Sequence, residues 1–284
     1  MEHFYIIANN HKDYNLEKTN YIKKYLEAHN KKCSINTSAI PEDADCILVL
    51  GGDGTLLQAA RDMINRDTPL LGINLGTLGY LAEIEEAGLE AALQQLLKGE
   101  YEIEQRMMLG GKVIRNEYHE RLHREKGILH CDEEESYALN DIVITRNGSL
   151  QIIKFHLFVN GQFLNRYNAD GVIVATPTGS TGYSMSAGGP IVEPKAELLL
   201  VTPICPHTLN TRSIVLAPGD KIEIEIVAGR EDSIQQVEVN FDGSHKLTLY
   251  TGDRVEIRRA VKTTGIVKLS KVSFLEVLHK KMSD

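Results

Sequence analysis

An uninterrupted apolar run, Cys46–Leu50 (CILVL), ends at Gly51-Gly52-Asp53-Gly54-Thr55, and residues of helical spacing follow at once. A short strand without polar alternation suits burial on both faces of a parallel sheet. Parallel neighbours need crossover connections, usually helices. The first hundred residues meet that requirement. Short apolar runs at Phe4–Ala8 and Leu70–Ile73 alternate with helical patterns over Leu16–Asn30 and Gly54–Asn65. The first pattern places Ile22, Tyr25, Leu26 and His29 on one face; the second does so for Leu56, Ala59, Ala60, Met63 and Ile64. Leu89, Ala92, Leu93, Leu96 and Leu97 form a third amphipathic stripe, with Gly99 placed as its C-terminal cap. These features predict an open α/β domain over residues 1–100.

Beyond residue 100 the apolar period changes from 3.6 to 2. Ile153, Phe155, Leu157 and Val159 alternate before Asn160-Gly161, and Val237, Val239 and Phe241 before Asp242-Gly243. Each dipeptide is a hairpin-turn signal. Ile222, Ile224 and Ile226 alternate as well, as do Val255 and Ile257. The fold class is therefore α/β plus β: an N-terminal open α/β domain, of the architecture in which nucleotide-binding domains are built, and a mostly antiparallel β domain over 101–269. The boundary falls near Gly99–Arg106. Residues 115–136 are densely charged and lack a strand pattern. They read as a solvated excursion, or as a metal site if His119 and His123 share a helical face with His130-Cys131 nearby.

Composition closes several other routes. The apolar runs are far shorter than the about 20 residues that span a bilayer, and MEHFYIIANN lacks the stretches of a signal peptide. Four cysteines stand far apart with no CxxC pair, which suits a reduced, cytoplasmic protein. A formal net charge of -8 opposes non-specific binding to nucleic acid.

Three loops carry the chemistry. In open α/β sheets ligands bind beyond the carboxyl ends of the strands. There the glycines of 51–54 let backbone amides approach an anion, and the following helix adds positive charge. Asp53 would repel that anion unless it held Mg²⁺ or accepted a proton; its alternative role is an N-cap. The pattern is neither a Walker A loop nor GxGxxG. A second glycine loop, Asn74-Leu75-Gly76-Thr77-Leu78-Gly79-Tyr80-Leu81, emerges at the same edge. The third, 176–189, offers small hydroxylated residues suited to a sugar or an amide ring group, with Tyr183 as a stacking face. Asn140-Asp141 is a candidate pair for a ribose diol, since a carboxylate accepts from both hydroxyls, or simply a strand-entry turn. No Lys or Arg lies within the phosphate loops, so amides and Mg²⁺ are expected to offset that charge.

Together, GGDGT at 51–55, NLGTLGYL at 74–81, ALND at 138–141, DGVIVATPTGSTGYSMSAGGPI at 170–191, PHTLNTRSIV at 206–215 and Asp242-Gly243 resemble the NAD kinases over nearly the whole chain. The resemblance implies phosphorylation of NAD to NADP, with ATP or polyphosphate as donor and Mg²⁺ or another divalent metal as cofactor. It further implies that NAD lies between two domains, that residues 270–284 return to the first, and that the protein is a homodimer or homotetramer. Asp53 would be the catalytic base or its metal-linked equivalent, with Gly52, Gly54 and Thr55 on the phosphates. NAD would be bound through Gly54, Tyr80, Asn140, Asp141, Asn168, Asp170, Thr181, Gly182, Tyr183, Ser184 and Ser186, Asp170 reaching ligand held mainly by a neighbouring subunit. The sequence departs from the family pattern at Asp141, where Glu is usual, at Gly182 for Ala, at Tyr80 for Phe, and at Asn168, where relatives often carry a basic residue. Two other classes share some of these features. Lipid kinases of the diacylglycerol and sphingosine type also carry GGDGT, and an NAD(H)-sensing module could keep the binding loops without transfer.

Overall fold

The computed structural model describes residues 1–35, 39–76, 79–82, 84–116, 135–148, 152–208, 211–229, 232–270 and 272–283. It divides into two compact units, Met1–Arg106 with Lys262–Asp284, and Met107–Val261. His119, His123, His130 and Cys131 lie outside the described residues, as do Thr77 and Leu78.

In the first unit, β1 (His3–Ala8), α1 (Glu17–Ala28), β2 (Lys32–Ile35), β3 (Cys46–Gly51), α2 (Asp53–Asp62), β4 (Leu70–Asn74), β5 (Ile84–Glu85) and α3 (Leu89–Lys98) follow in sequence. The strands form a parallel sheet in the order β2-β1-β3-β4, with β5 beside the end of β4. Phe4, Ile6, Leu48, Leu50, Leu71 and Ile73 line one face and pack with Ile22 and Leu26 of α1 and Leu89, Leu93 and Leu96 of α3. The other face takes α2, whose Leu56 lies against Gly72. Burial on both faces is what the unbroken CILVL run requires.

Two local expectations need correction. Asn15 and Leu16 are left-handed (φ 53 and 54), so α1 starts at Glu17. His29 falls just past the helix end, where the 3.6 period no longer governs direction, and it is exposed and stacked on Tyr25 rather than buried. Gly99 does cap α3, with φ 77.

The chain then runs through β6 (Glu102–Ile114), β7 (Ser136–Ala138), β8 (Asp141–Arg146), β9 (Ile153–Val159), β10 (Gln162–Ala169), β11 (Gly171–Ala175), β12 (Leu199–Ile204), β13 (Ile214–Leu216), β14 (Ile222–Ile226), β15 (Gln236–Phe241), β16 (His245–Tyr250) and β17 (Arg254–Lys268). Among the described residues of the second unit, the ladders of β8 with β11 and β15, of β12 with β11 and β13, of β15 with β16, and of β9 with β10 and β14 are all antiparallel. One sheet runs β13-β12-β11-β8-β15-β16; in the other, β9 lies between β10 and β14, and residues 254–257 of β17 pair with β14. Their apolar faces meet in one core that includes Ile142, Ile144, Val172, Val174, Phe155, Leu157, Ile222 and Ile224. Asn160-Gly161 fills a two-residue hairpin turn, whose twist demands its two positive φ values, and Asp242-Gly243 has the same pair within a three-residue loop that Ser244 completes. The closing segment returns to the first unit: Ile266 pairs parallel with Leu70, and α4 (Phe274–Met282) starts at a Ser273/Glu276 capping box.

Candidate active site

In the parallel sheet Ala8, Leu50 and Ile73 stand side by side, as do Gly51 and Asn74. Three loops therefore leave the same edge: 9–13 after β1, the Gly52 turn after β3, and the segment from Leu75 after β4. The first two are tied together, since Asn9 N–H donates to Leu50 O at 2.9 Å and Asn9 Nδ2 to Thr55 Oγ1 at 3.4 Å. The third is tied by Leu75 N–H to Gly51 O at 2.9 Å and by Gly76 N–H to Asn74 Oδ1 at 3.0 Å.

Asp53 starts α2, and its carboxylate does not cap that helix. It accepts instead from Tyr80 N–H at 2.8 Å (Oδ2) and Leu81 N–H at 3.3 Å (Oδ1). Gly79 makes this approach feasible, because a β-carbon there would overlap the carboxylate. Each oxygen keeps lone-pair capacity for a further partner. Gly52, Asp53 and Thr55 are half-buried and Gly54 is exposed, so the loop faces solvent. Tyr80 is half-buried, with Lys281 Nζ 3.9 Å from its ring centroid.

A second group of candidate residues gathers in the antiparallel unit. Asp141 stands opposite Ala175, on the face of the sheet that carries Val143 and Ile173. The carboxylate of Asp242, in the hairpin after β15, accepts from the amides of Leu139 (2.9 Å), Asn140 (2.8 Å) and Asp141 (3.2 Å). Burial first, and then the charge of Asp242, pushes Asp141 up to about 7. Thr176 ties the following loop to the same backbone, its N–H donating to Asn140 O at 2.9 Å and its hydroxyl to Leu139 O at 2.6 Å. Gly179 then passes so close to Asn140 that a β-carbon would overlap its carbonyl, and Gly182 lies beside Asn140 Nδ2. Asn140 Oδ1 is buried with no hydrogen-bond partner among the described residues. A buried acceptor left open in this way marks a place where a ligand group can complete the bonding.

The hydroxylated stretch is a short 3₁₀ turn (Thr178–Thr181) and a single helical turn (Tyr183–Ser186). Several of its hydroxyls are used internally. Ser180 bridges to Val192, and Ser184, fully buried, shares a hydrogen bond with Thr202 at 3.1 Å. Tyr183 and Ser186 are exposed, and Thr181 is buried with its hydroxyl 3.4 Å from Thr178 O. Asp170 precedes β11 at the end away from Asp141, about 17 Å along the strand at the usual rise, and Asn168 lies near the end of the preceding β10. Asp170 lies 3.5 Å from Arg146, and Asn168 Oδ1 is buried and unpartnered among the described residues. The unit thus brings Asn140, Asp141, Thr181 and Gly182 together and keeps Asn168 and Asp170 apart from them.

Comparison with known proteins settles what these loops belong to. The ATP-NAD kinase N-terminal domain family matches residues 4–101, and the ATP-NAD kinase C-terminal domain family matches 139–269. The chain belongs to the NAD kinase family. It is 48% identical over 297 residues to the NAD kinase of Agathobacter rectalis, covering 100% of this chain and 99% of that one. Identity to the NAD kinase of Lachnoclostridium phytofermentans is 42% over 295 residues, with full coverage of both. Among solved structures, yeast NADH kinase complexed with NADH superposes with a TM-score of 0.80 at 25% identity, covering 100% of this chain and 88% of that one. The Archaeoglobus fulgidus NAD kinase in complex with ATP gives 0.74 at 26% identity, covering 99% of each.

Within this NAD kinase fold, sequence reasoning missed one cation and one staple. Lys12 lies on the loop after β1, yet its Nζ reaches the glycine loops, 2.7 Å from a β-carbon built on Gly52 and 3.2 Å from one on Gly76. The glycine loops thus have a cation beside them. Nothing in the local pattern of residues 9–13 announces this, because the contact joins segments about 40 and 60 positions apart. Asp242 reads in sequence as half of a turn signal and as part of the family resemblance; its part in fixing Leu139–Asp141 depends on a hairpin about a hundred residues away.

Proposed function

We propose that this chain transfers the γ-phosphate of ATP to the adenosine ribose 2′-hydroxyl of NAD, giving NADP. The observation that carries the reading is Asp53, a carboxylate fixed by two backbone amides inside a glycine loop at the head of a parallel sheet. A pure anion cradle gains nothing from such a group, whereas phosphoryl transfer needs one that orients the attacking hydroxyl and takes its proton. Gly52, Gly54 and Thr55 hold the donor phosphates. The 2′-oxygen attacks the γ-phosphorus in line, its proton passes to Asp53, the bond from the γ-phosphorus to the β–γ bridging oxygen breaks, and ADP leaves.

Among the described residues no cluster of three or more His, Cys, Asp or Glu side chains could hold a metal ion. A Mg²⁺ would be carried mainly by phosphate oxygens and water, with Asp53 as its protein contact. When bound, it offsets phosphate charge. Polyphosphate offers the same terminal group to these loops and serves as a second donor to test. The family resemblance assigns NAD contacts to Gly54, Tyr80, Asn140, Asp141, Thr181, Gly182, Tyr183, Ser184 and Ser186. Ser184, its hydroxyl committed to Thr202, acts in this reading by shaping the turn. The remoteness of Asn168 and Asp170 supports a homodimer or homotetramer in which they meet NAD bound mainly by a neighbouring subunit. Cytoplasmic residence completes the proposal; no helix among the described residues is long and apolar enough to cross a membrane.

The lipid-kinase reading gives way to the family match across both units. Incubation with ATP, Mg²⁺ and NAD, followed by an NADP-specific coupled assay, is expected to show NADP. NAD binding without NADP would favour the sensing module instead.

A further inference from the structure

We infer that Lys12, beside the Gly76 segment that Asn74 holds, is a phosphate-binding residue for the donor nucleotide. The inference rests on the reading of the glycine loops as the ATP site and adds the cation that those loops lack. Lys12 Nζ lies over both glycine segments, against Gly52 of the first and Gly76 of the second. Among the described residues it has no ion-pair or hydrogen-bond partner, so its charge is uncommitted. The side chain is exposed, but the backbone that carries it is fixed. Asn9 accepts from His11, Lys12 and Asp13 amides and ties the loop to Leu50 and Thr55. On the far side, the carboxylate of Asp13 is taken up by Lys18 N–H, Thr19 N–H and Thr19 Oγ1 at the start of α1. The acid next to Lys12 in sequence is therefore occupied with the helix and leaves the ammonium unpaired.

Asn74 supplies an independent observation at the same spot. It is 2% exposed, its Oδ1 accepts from Gly76 N–H, and its Nδ2 is buried with no partner among the described residues. An unpaired buried donor is costly. Through Gly76, which Asn74 holds and Lys12 Nζ approaches, an open donor and an unpaired ammonium share one loop, and acceptors satisfy both. Phosphate oxygens of ATP meet that description, with the Lys12 ammonium acting as a point charge. A methyl group on Gly52 would push the ammonium aside from this position.

The test is equilibrium binding of ATP with Mg²⁺ in the absence of NAD, for the full chain and for Lys12→Met, Lys12→Arg and Gly52→Ala. Lys12→Met is expected to bind ATP about 10- to 100-fold more weakly, the span of one hydrogen bond to a charged group. Lys12→Arg keeps most of the affinity. NAD binding and thermal unfolding stay at wild-type values in both Lys12 variants. Inorganic tripolyphosphate should compete with ATP on the wild type and lose that ability on Lys12→Met, a change that a merely structural lysine would not produce. ATP affinity within twofold of wild type in Lys12→Met overturns the inference, and so does a wild-type chain that binds no ATP. ATP binding that depends on Lys12 without NADP formation would instead leave the inference standing and overturn the proposed reaction.

Discussion

Replacing Gly79 with alanine should separate folding from chemistry at this site. A β-carbon at that position overlaps Oδ1, Cγ and Oδ2 of Asp53. Restoring ordinary carbon–oxygen separation needs a displacement of about 1 Å or more. The carboxylate cannot move that far and keep both its bonds, to Tyr80 N–H at 2.8 Å and Leu81 N–H at 3.3 Å. A misplacement on the order of 1 Å at a reacting group costs about 100-fold in rate. Stability should fall by only about 1–3 kcal/mol, because Asp53 is half-buried and water can replace the lost donors. The expected outcome of steady-state NADP formation is thus a kcat lowered about 100-fold with the ATP affinity little changed, since Lys12 and Gly52 are untouched. A Gly79→Ala enzyme whose kcat stays within threefold of wild type would refute the argument that Tyr80 and Leu81 position Asp53.

Further outcomes follow from the other unit and from the first loop. Asp141 holds its proton up to about 7 in the folded chain, against 3.8 for the free group. The folded state therefore binds more protons than the unfolded one between these values, and stability falls as pH rises through that window. Denaturant unfolding should show a loss of about 3 kcal/mol between pH 5 and 8 relative to Asp141→Asn; equal pH slopes for the two would contradict the burial argument. Gly179→Ala forces a methyl into the Asn140 carbonyl, so the variant should unfold at lower denaturant and lose NAD affinity, as calorimetry can read. At Gly54, by contrast, a β-carbon meets nothing within 4 Å and the helix gains alanine. Gly54→Ala should be more stable by up to about 1 kcal/mol, and any weakening of ATP binding there reads on the ligand rather than the fold.

Much of this architecture is legible in local pattern. CILVL before a glycine turn requires a doubly covered parallel strand, and the change of period near residue 100 announces an antiparallel unit. Asn160-Gly161 and Asp242-Gly243 mark their hairpins, and Gly99 marks the end of α3. Periodicity reports which face of an element is buried, however, and not which distant group faces it. Asp53 meets amides 27 and 28 positions away, Asp242 meets Leu139–Asp141 across about a hundred, and Lys12 is delivered by a loop with no motif of its own. The hydroxyl-rich stretch misleads for the same reason: Ser180 and Ser184 look available in sequence and are consumed by Val192 and Thr202 in the fold. At His29 the helical period had already ended.

The central claim is that Asp53 serves the transfer itself rather than the shape of its loop. The direct measurement compares wild type and Asp53→Asn for NADP formation from ATP, Mg²⁺ and NAD, alongside NAD binding and thermal unfolding. An asparagine keeps an oxygen for one of the two amides and loses the proton acceptor. Wild-type NAD affinity and unfolding, with nearly all NADP formation gone, is the result predicted here. Retained turnover in Asp53→Asn would contradict it.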